Sequence, residues 1–288
     1  MFHTAVIIPH HNDINRLGRC LAALMPQVGP ETEVVVVENG SDEDPALLCA
    51  MHLGLRLVRE PQKGAAHARN RGVAETSALC IIFLDCDCMP APDWLASAFA
   101  AQQRGDLVGG RIDIFDETPP PRTGAQAFEA VFAFDNRTYV EKKRFSVTAN
   151  LAIRRDVFET TGPFVHGLSE DFDWCHRAVA KGYRLAYDDN LRVRHPSRED
   201  WAALARKWRR LTKESFNVNG RSLWRRQVWI ARALMMPFSV LAHTPRVLLH
   251  PALRDSGERW RALKMLVRLR LARMAWMLAQ VMEPSRHD

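Results

Sequence analysis

The sequence predicts an α/β protein, a mostly parallel sheet built from strand–helix units, followed by a helical, basic C-terminal region. Three observations lead there. Strand and helix patterns alternate through the first 115 residues. A fully apolar run, Cys80–Leu84, closes on the acidic pair Asp85-Cys86-Asp87. The charge then changes sign: residues 1–200 carry 22 Lys+Arg against 28 Asp+Glu, and residues 201–288 carry 18 against 5.

Each element has its own signal. Ala5-Val6-Ile7-Ile8 reads as a strand ending at Pro9, and Ile14 to Met25 has helical periodicity with Asn12 or Asp13 as its cap. Glu33 to Val37 is a second strand, closed by Glu38-Asn39-Gly40-Ser41. Asp44 to Leu53 reads as a helix, Leu55 to Val58 as a short strand, and Gly64 to Thr76 as a helix that opens at a glycine. Cys80 to Leu84 has the length and β-branched character of a buried parallel strand. Successive units of this kind give a right-handed, Rossmann-like nucleotide-binding half. No G-x-G-x-x-G follows the first strand and no G-x-x-x-x-G-K-[ST] occurs, which disfavours a dinucleotide fold and a P-loop. Asp116 to Thr123, with three consecutive prolines, reads as the most flexible loop.

Ligands of open α/β sheets bind beyond the carboxyl ends of strands, where Asp85 and Asp87 fall. Two hard oxygen ligands there can hold a divalent cation against a substrate's phosphates; the bland alternative is a solvated turn. Lys63 and Arg69 flank the opening of a helix, where backbone N–H groups and the dipole favour anions, although surface cations on a solvated face would look the same. Six cysteines are scattered, three of them in or beside one buried strand, which fits reduced thiols and no disulfide framework. Cys86-x-Cys88 has no second pair at zinc spacing. Met1 leads directly into a strand pattern, so no signal peptide is expected and the expected location is cytoplasmic.

Several blocks in register resemble the successive signatures of family 2 glycosyltransferases. They are Val6-Ile7-Ile8-Pro9-His10-His11-Asn12, Val36-Val37-Glu38-Asn39-Gly40-Ser41, the segment Lys63-Gly64 to Ala68-Arg69-Asn70 and Gly72, and Phe83-Leu84-Asp85-Cys86-Asp87. Ser169-Glu170-Asp171-Phe172-Asp173 and Val193-Arg194-His195 complete the set. The resemblance implies a GT-A fold, with a mixed, mostly parallel sheet, and a nucleotide-diphosphate-sugar donor. By the same resemblance Pro9 and Asn12 edge the base and ribose pocket. Glu38, where the family more often has Asp, accepts a hydrogen bond from the base. Asp85 and Asp87 bracket the ribose and a Mn²⁺ or Mg²⁺ ion, with His195 as a third protein ligand. Alone, Asn12 also reads as a helix cap and His195 as a polar residue at a strand end. Asp171 is the expected general base of an inverting transfer, with Glu170 and Asp173 crowding it on the acceptor side. The same three acids, with Ser169, also suit a helix N-terminus.

The expected organisation is a GT-A catalytic domain over residues 1–200 and a helical, basic region over 201–288. In the latter, Trp260, Leu263, Val267, Leu271, Met274, Leu278 and Val281 form one apolar stripe, with Met265, Leu269 and Trp276 opposite. Upstream, Trp201, Trp208, Trp224 and Trp229 sit among lysines and arginines, a density that suits an anionic membrane surface. The charge-free run Ala233–Pro245 is too short to span a bilayer. An ordinary helical subdomain with a solvated basic face is the plain alternative, and no motif supports a nucleic-acid partner. The expected activity is metal-dependent sugar transfer to a lipid-linked or envelope glycoconjugate acceptor, with the protein peripheral on the inner face of the cell membrane. A sugar-phosphate nucleotidylyltransferase needs a Gly-rich basic loop after the first strand, which Pro9-His10-His11-Asn12 does not supply. A non-catalytic sugar-nucleotide-binding protein is the remaining alternative.

Overall fold

The computed structural model describes residues 3–219 and 222–282. In chain order the elements are β1 (Thr4–His10), α1 (Ile14–Leu24), β2 (Thr32–Glu38), α2 (Ala46–Ala50), β3 (Leu55–Arg59), α3 (Ala65–Ala74), β4 (Cys80–Leu84), β5 (Met89–Pro90) and α4 (Trp94–Ala101). Then follow β6 (Leu107–Phe115), α5 (Gly124–Phe132), α6 (Asn136–Lys143), β7 (Asn150–Arg154), α7 (Arg155–Thr161), α8 (Glu170–Ala180) and β8 (Leu185–Pro196). Four helices close the chain: α9 (Trp201–Asn219), α10 (Leu223–Leu234), α11 (Phe238–Leu249) and α12 (Ser256–Met282).

One eight-stranded sheet has the order β3-β2-β1-β4-β7-β6-β8-β5. The first four are parallel neighbours, and β7 joins β4 and β6 antiparallel. The expected parallel half is therefore present, and the sheet is mixed. Ile7, Val35, Val37, Ile81 and Phe83 are buried together with α3 residues Ala68 and Val73. The close approach of α3 depends on Gly72, where an added Cβ would lie 2.4 Å from Ile7 Cγ2 and 3.2 Å from Val37 Cγ2. Gly72→Ala is expected to lower stability by about 1–3 kcal/mol through overpacking, measured by denaturant unfolding.

Two readings of the N-terminal half change. The segment read as a helix from Asp44 to Leu53 forms only a one-turn α2, because Pro45 starts it and the chain turns at Met51–Gly54. Neither Asn12 nor Asp13 caps α1 with its side chain. Asn12, at φ 53°, instead accepts from Asp42 N at 2.7 Å and donates to the Asp42 carboxylate at 3.2 Å, while Asp13 pairs with Arg16 at 3.0 Å.

The chain divides into two compact units. The first comprises residues 1–113, 135–166 and 170–195; the second comprises 114–134, 167–169 and 196–288. The sequence boundary at residue 200 thus falls inside the second unit, which also draws in α5. There, α5 packs with α9 and α12 around Phe128, Val131, Leu204, Leu266 and Leu269. Buried Glu129 accepts hydrogen bonds from Arg198 at 2.9 Å and Lys207 at 3.0 Å, an ion cluster that holds its carboxyl below the usual range despite burial. The segment from Asp116 to Thr123 is fastened: Arg122 donates to Asp116, and Thr123 and Gln126 form a capping box at α5.

Most tryptophans of α9 and α10 are covered, contrary to a surface-facing role. Trp229 is buried, and Trp201 and Trp208 pack against the core, because their helix faces meet neighbouring helices; of the four, Trp224 alone is exposed. On α12 the buried face is Ala262, Leu266, Leu269 and Met277, whereas Trp260, Val267 and Leu271 face solvent. Helix α11 turns Val247 inward and leaves Phe238, Leu241, Leu248 and Leu249 exposed on its other side. No helix among the described residues is long and apolar enough to cross a membrane.

Candidate active site

The first unit gathers the chemistry-bearing residues at the carboxyl ends of its parallel strands. Every side chain of β4 is buried, and the chain leaves it at Asp85 in a turn closed by Cys88 N donating to Asp85 O at 3.0 Å. Helix α3 supplies Arg69, which is 4% exposed. Its guanidinium donates to Asp85 Oδ1 at 2.7 Å and to Glu170 Oε1 at 3.0 Å. One buried cation thereby ties the end of β4 to the first turn of α8. Glu170, expected beside an acceptor, is engaged with Arg69.

Asp171 follows on α8. Thr148 Oγ1 donates to Asp171 Oδ1 at 2.7 Å and fixes the carboxylate. Burial pushes its pKa up to about 7, with the Glu170 charge adding to the rise and Arg69 opposing it. Asp173 is elsewhere occupied: Arg177 Nε donates to it at 2.8 Å across one helical turn, and the same guanidinium donates to the carbonyls of Thr161 and Pro163.

On the far side of the turn, Asp87 Oδ2 lies 3.2 Å from Nε2 of His195, which is buried near the end of β8. The two-residue β5 pairs Met89 with Arg194 and Pro90 with Val193, which brings the segment after Asp87 alongside His195. Among the described residues no group of three or more His, Cys, Asp or Glu side chains is arranged to hold a metal ion. Asp87 and His195 are nonetheless adjacent oxygen and imidazole donors, a pair that suits Mn²⁺ better than the harder Mg²⁺. The nearby thiols of Cys20, Cys86 and Cys88 are all raised by burial and stay protonated.

The nucleotide end is built from β1, β2 and the turn before α3. Pro9 lies in β1, Glu38 ends β2, and a Glu38 carboxylate oxygen accepts from Ser41 N. Asn39, which reads as an ordinary turn residue in the sequence, is a buried hub. Its amide donates to Glu60 O and Gln62 O at 2.8 Å each and accepts from Gly64 N at 2.7 Å. This fixes the entry to α3, where Gly64 takes φ +136°. Lys63 is exposed at that entry, its methylenes over Gly40. Asn70 clamps Phe164 through both backbone groups at 2.9 Å, and fully buried Trp174 donates to Gly162 O at 2.8 Å. These contacts fasten the segment that leads toward α8.

Residues 5–162 match the sequence profile described as glycosyl transferase family 2. The chain is 30% identical over 238 residues to glycosyltransferase AglE of Haloferax volcanii, covering 78% of this chain and 74% of that protein. It is 28% identical over 214 residues to the pre-mycofactocin glycosyltransferase of Mycobacterium tuberculosis, and spans 44% of that longer protein. Among solved structures it superposes on mannosyltransferase PcManGT from Pyrobaculum calidifontis, in complex with GDP-Man and Mn²⁺. There the TM-score is 0.62 at 18% identity, over 97% of this chain and 87% of that one. TarS of S. aureus in complex with UDP-GlcNAc superposes with a TM-score of 0.55 at 15% identity, over 100% of this chain and 94% of that one. These structures share the fold.

Proposed function

The chain belongs to glycosyl transferase family 2 and is a glycosyltransferase with a nucleotide-sugar donor, and from that premise we propose a metal-dependent, inverting transfer to an acceptor hydroxyl. The arrangement of Asp171 carries this reading. It is a half-buried carboxylate at a helix start, held by Thr148, with a pKa of about 7 that suits a general base at neutral pH. Asp171 takes the proton of the acceptor hydroxyl as the oxygen attacks the anomeric carbon. Arg69 and Lys63, at the opening of α3, bind the donor's diphosphate oxygens, while Pro9, Asn12 and Glu38 border the base and ribose. Asp87 and His195, with Asp85 beside them, would hold Mn²⁺ or Mg²⁺, which would neutralise charge developing on the departing diphosphate. Glu170 orients Arg69, and Asp173 braces α8 through Arg177.

We place the enzyme at the cytoplasmic membrane face, acting on a lipid-linked or envelope glycoconjugate acceptor. Two features of the second unit support this. Phe238, Leu241, Leu248 and Leu249 give α11 an exposed apolar side. No Asp or Glu occurs between residues 215 and 254, where there are six arginines. Apolar side chains set in cationic sequence suit an anionic lipid surface.

The test is incubation with labelled nucleotide sugars and a lipid extract, followed by NMR of the product's anomeric linkage. Transfer from one donor, with inversion, abolished by chelator and restored by Mn²⁺, is the expected result. Retention of configuration would remove Asp171 from the role of base.

A further inference from the structure

Three arginines of α12, Arg261, Arg270 and Arg273, have buried Nε–H donors without a hydrogen-bond partner, and the last two are neighbours. Arg270 and Arg273 lie one helical turn apart and are partly buried. Their Nε–H donors are buried without a hydrogen-bond partner, and neither forms an ion pair among the described residues. Four of the unit's acids are engaged elsewhere: Glu129 with Arg198 and Lys207, Asp116 and Glu258 with Arg122, Glu214 with Arg210. The Arg273 guanidinium sits 4.7 Å from the ring centroid of Trp208, whose indole N–H is also buried and unpartnered. Desolvation, with the charge of Arg270 behind it, pulls the Arg273 guanidinium down to about 10.

Two neighbouring desolvated cations without a counter-ion are unfavourable, and unsatisfied buried donors call for an acceptor. At this pair the buried unpartnered atoms, Nε of each arginine and the Trp208 indole nitrogen, are all donors. The complementary ligand therefore presents only acceptor oxygens and negative charge. A phosphate group meets both conditions, and the planar guanidinium fork matches its oxygens. We propose that Arg270 and Arg273, with Trp208 stacked against Arg273, form an anion site that takes the phosphate of a phosphate-bearing lipid. The lipid source rests on the membrane reading above, namely the apolar side of α11 and the acid-free stretch in the same unit. A soluble phosphate ester offers the same oxygens, so both sources are tested.

The experiment uses the full chain. Flotation with phosphatidylcholine vesicles, with and without phosphatidic acid, gives the lipid arm; calorimetric titration with inorganic pyrophosphate, with the donor site saturated by nucleoside diphosphate, gives the soluble arm. Arg270→Gln/Arg273→Gln is expected to lose at least about tenfold in affinity for phosphatidic-acid vesicles, the loss of two charge-assisted contacts. Its melting temperature should not fall, since two desolvated like charges are removed. Arg273→Lys, which keeps the charge but not the fork, should lie between. Arg232→Gln, at an exposed position of α10, should change binding less than about threefold. Pyrophosphate binding that the double variant loses, without vesicle binding, would keep the site and overturn the lipid assignment. Equal losses from Arg232→Gln and the double variant, or no binding of either probe by the wild type, would overturn the site itself. Asp87→Ala protein should retain vesicle binding, which separates a failure of the donor reading from a failure here.

Discussion

Replacing Asp171 by Asn is expected to lower the rate of sugar transfer by about 10²–10⁴-fold while donor affinity and melting temperature stay at or above wild type. The variant keeps the shape of the carboxylate and a partner for Thr148, but cannot take a proton. Because burial and Glu170 raise the folded-state pKa of Asp171 to about 7, above its unfolded value of 3.8, its ionisation opposes folding. The wild type should therefore gain stability as pH falls from about 7 toward about 4, and this contribution should vanish in Asp171→Asn. Turnover runs the other way: the base must be ionised, so kcat should rise with pH through about 7 and level off above it. A pH–rate profile and a set of thermal melts check both signs. A variant that transfers sugar at the wild-type rate would exclude Asp171 as the base.

Arg69→Ala should have the second largest effect. The guanidinium is buried and holds Asp85 and Glu170 together, with the Asp171 charge close by. Removing one partner of such a group leaves uncompensated carboxylates, a loss of about 3 kcal/mol, moderated by the solvent that reaches Asp85. With the opposing cation gone, Asp171 should titrate higher, so the rising limb of the pH–rate profile should move to higher pH. Donor affinity should fall as well. Arg69→Lys keeps a charge but cannot span both carboxylates, and should be intermediate in stability. Denaturant unfolding and the shifted profile are the two readouts; an unshifted profile would detach Arg69 from Asp171.

Much of this site is visible in the sequence because it rests on local signals. The apolar run of β4 and the acids that close it need only strand length and side-chain character, and the opening of α3 needs only a glycine between two cations. What escaped was long-range. Nothing near Arg69 in sequence announces Glu170, 101 residues away, and it is that contact that ties Glu170 to the end of β4. Thr148 carries no signal of its own in the sequence, and only the fold sets its hydroxyl on Asp171. Asn12 had the composition of a helix cap, but tertiary hydrogen bonds to Asp42 won over that local preference. In the second unit, helical periodicity found apolar faces without revealing which would be covered. Trp229 is a core residue and Trp208 packs against the core, whereas Phe238 and Leu241, in a short charge-free run, are left outside.

The most direct measurement is calorimetric binding of UDP, GDP and other nucleoside diphosphates, each with and without Mn²⁺, to the wild type and to Asp87→Ala. It requires no knowledge of the acceptor. The expected result is tight binding of one nucleotide, dependent on the metal and lost in the variant, which would put donor and cation together at the end of β4. Metal-independent binding that Asp87→Ala leaves intact, or no binding of any nucleotide, would contradict a metal-assisted donor site at Asp85 and Asp87.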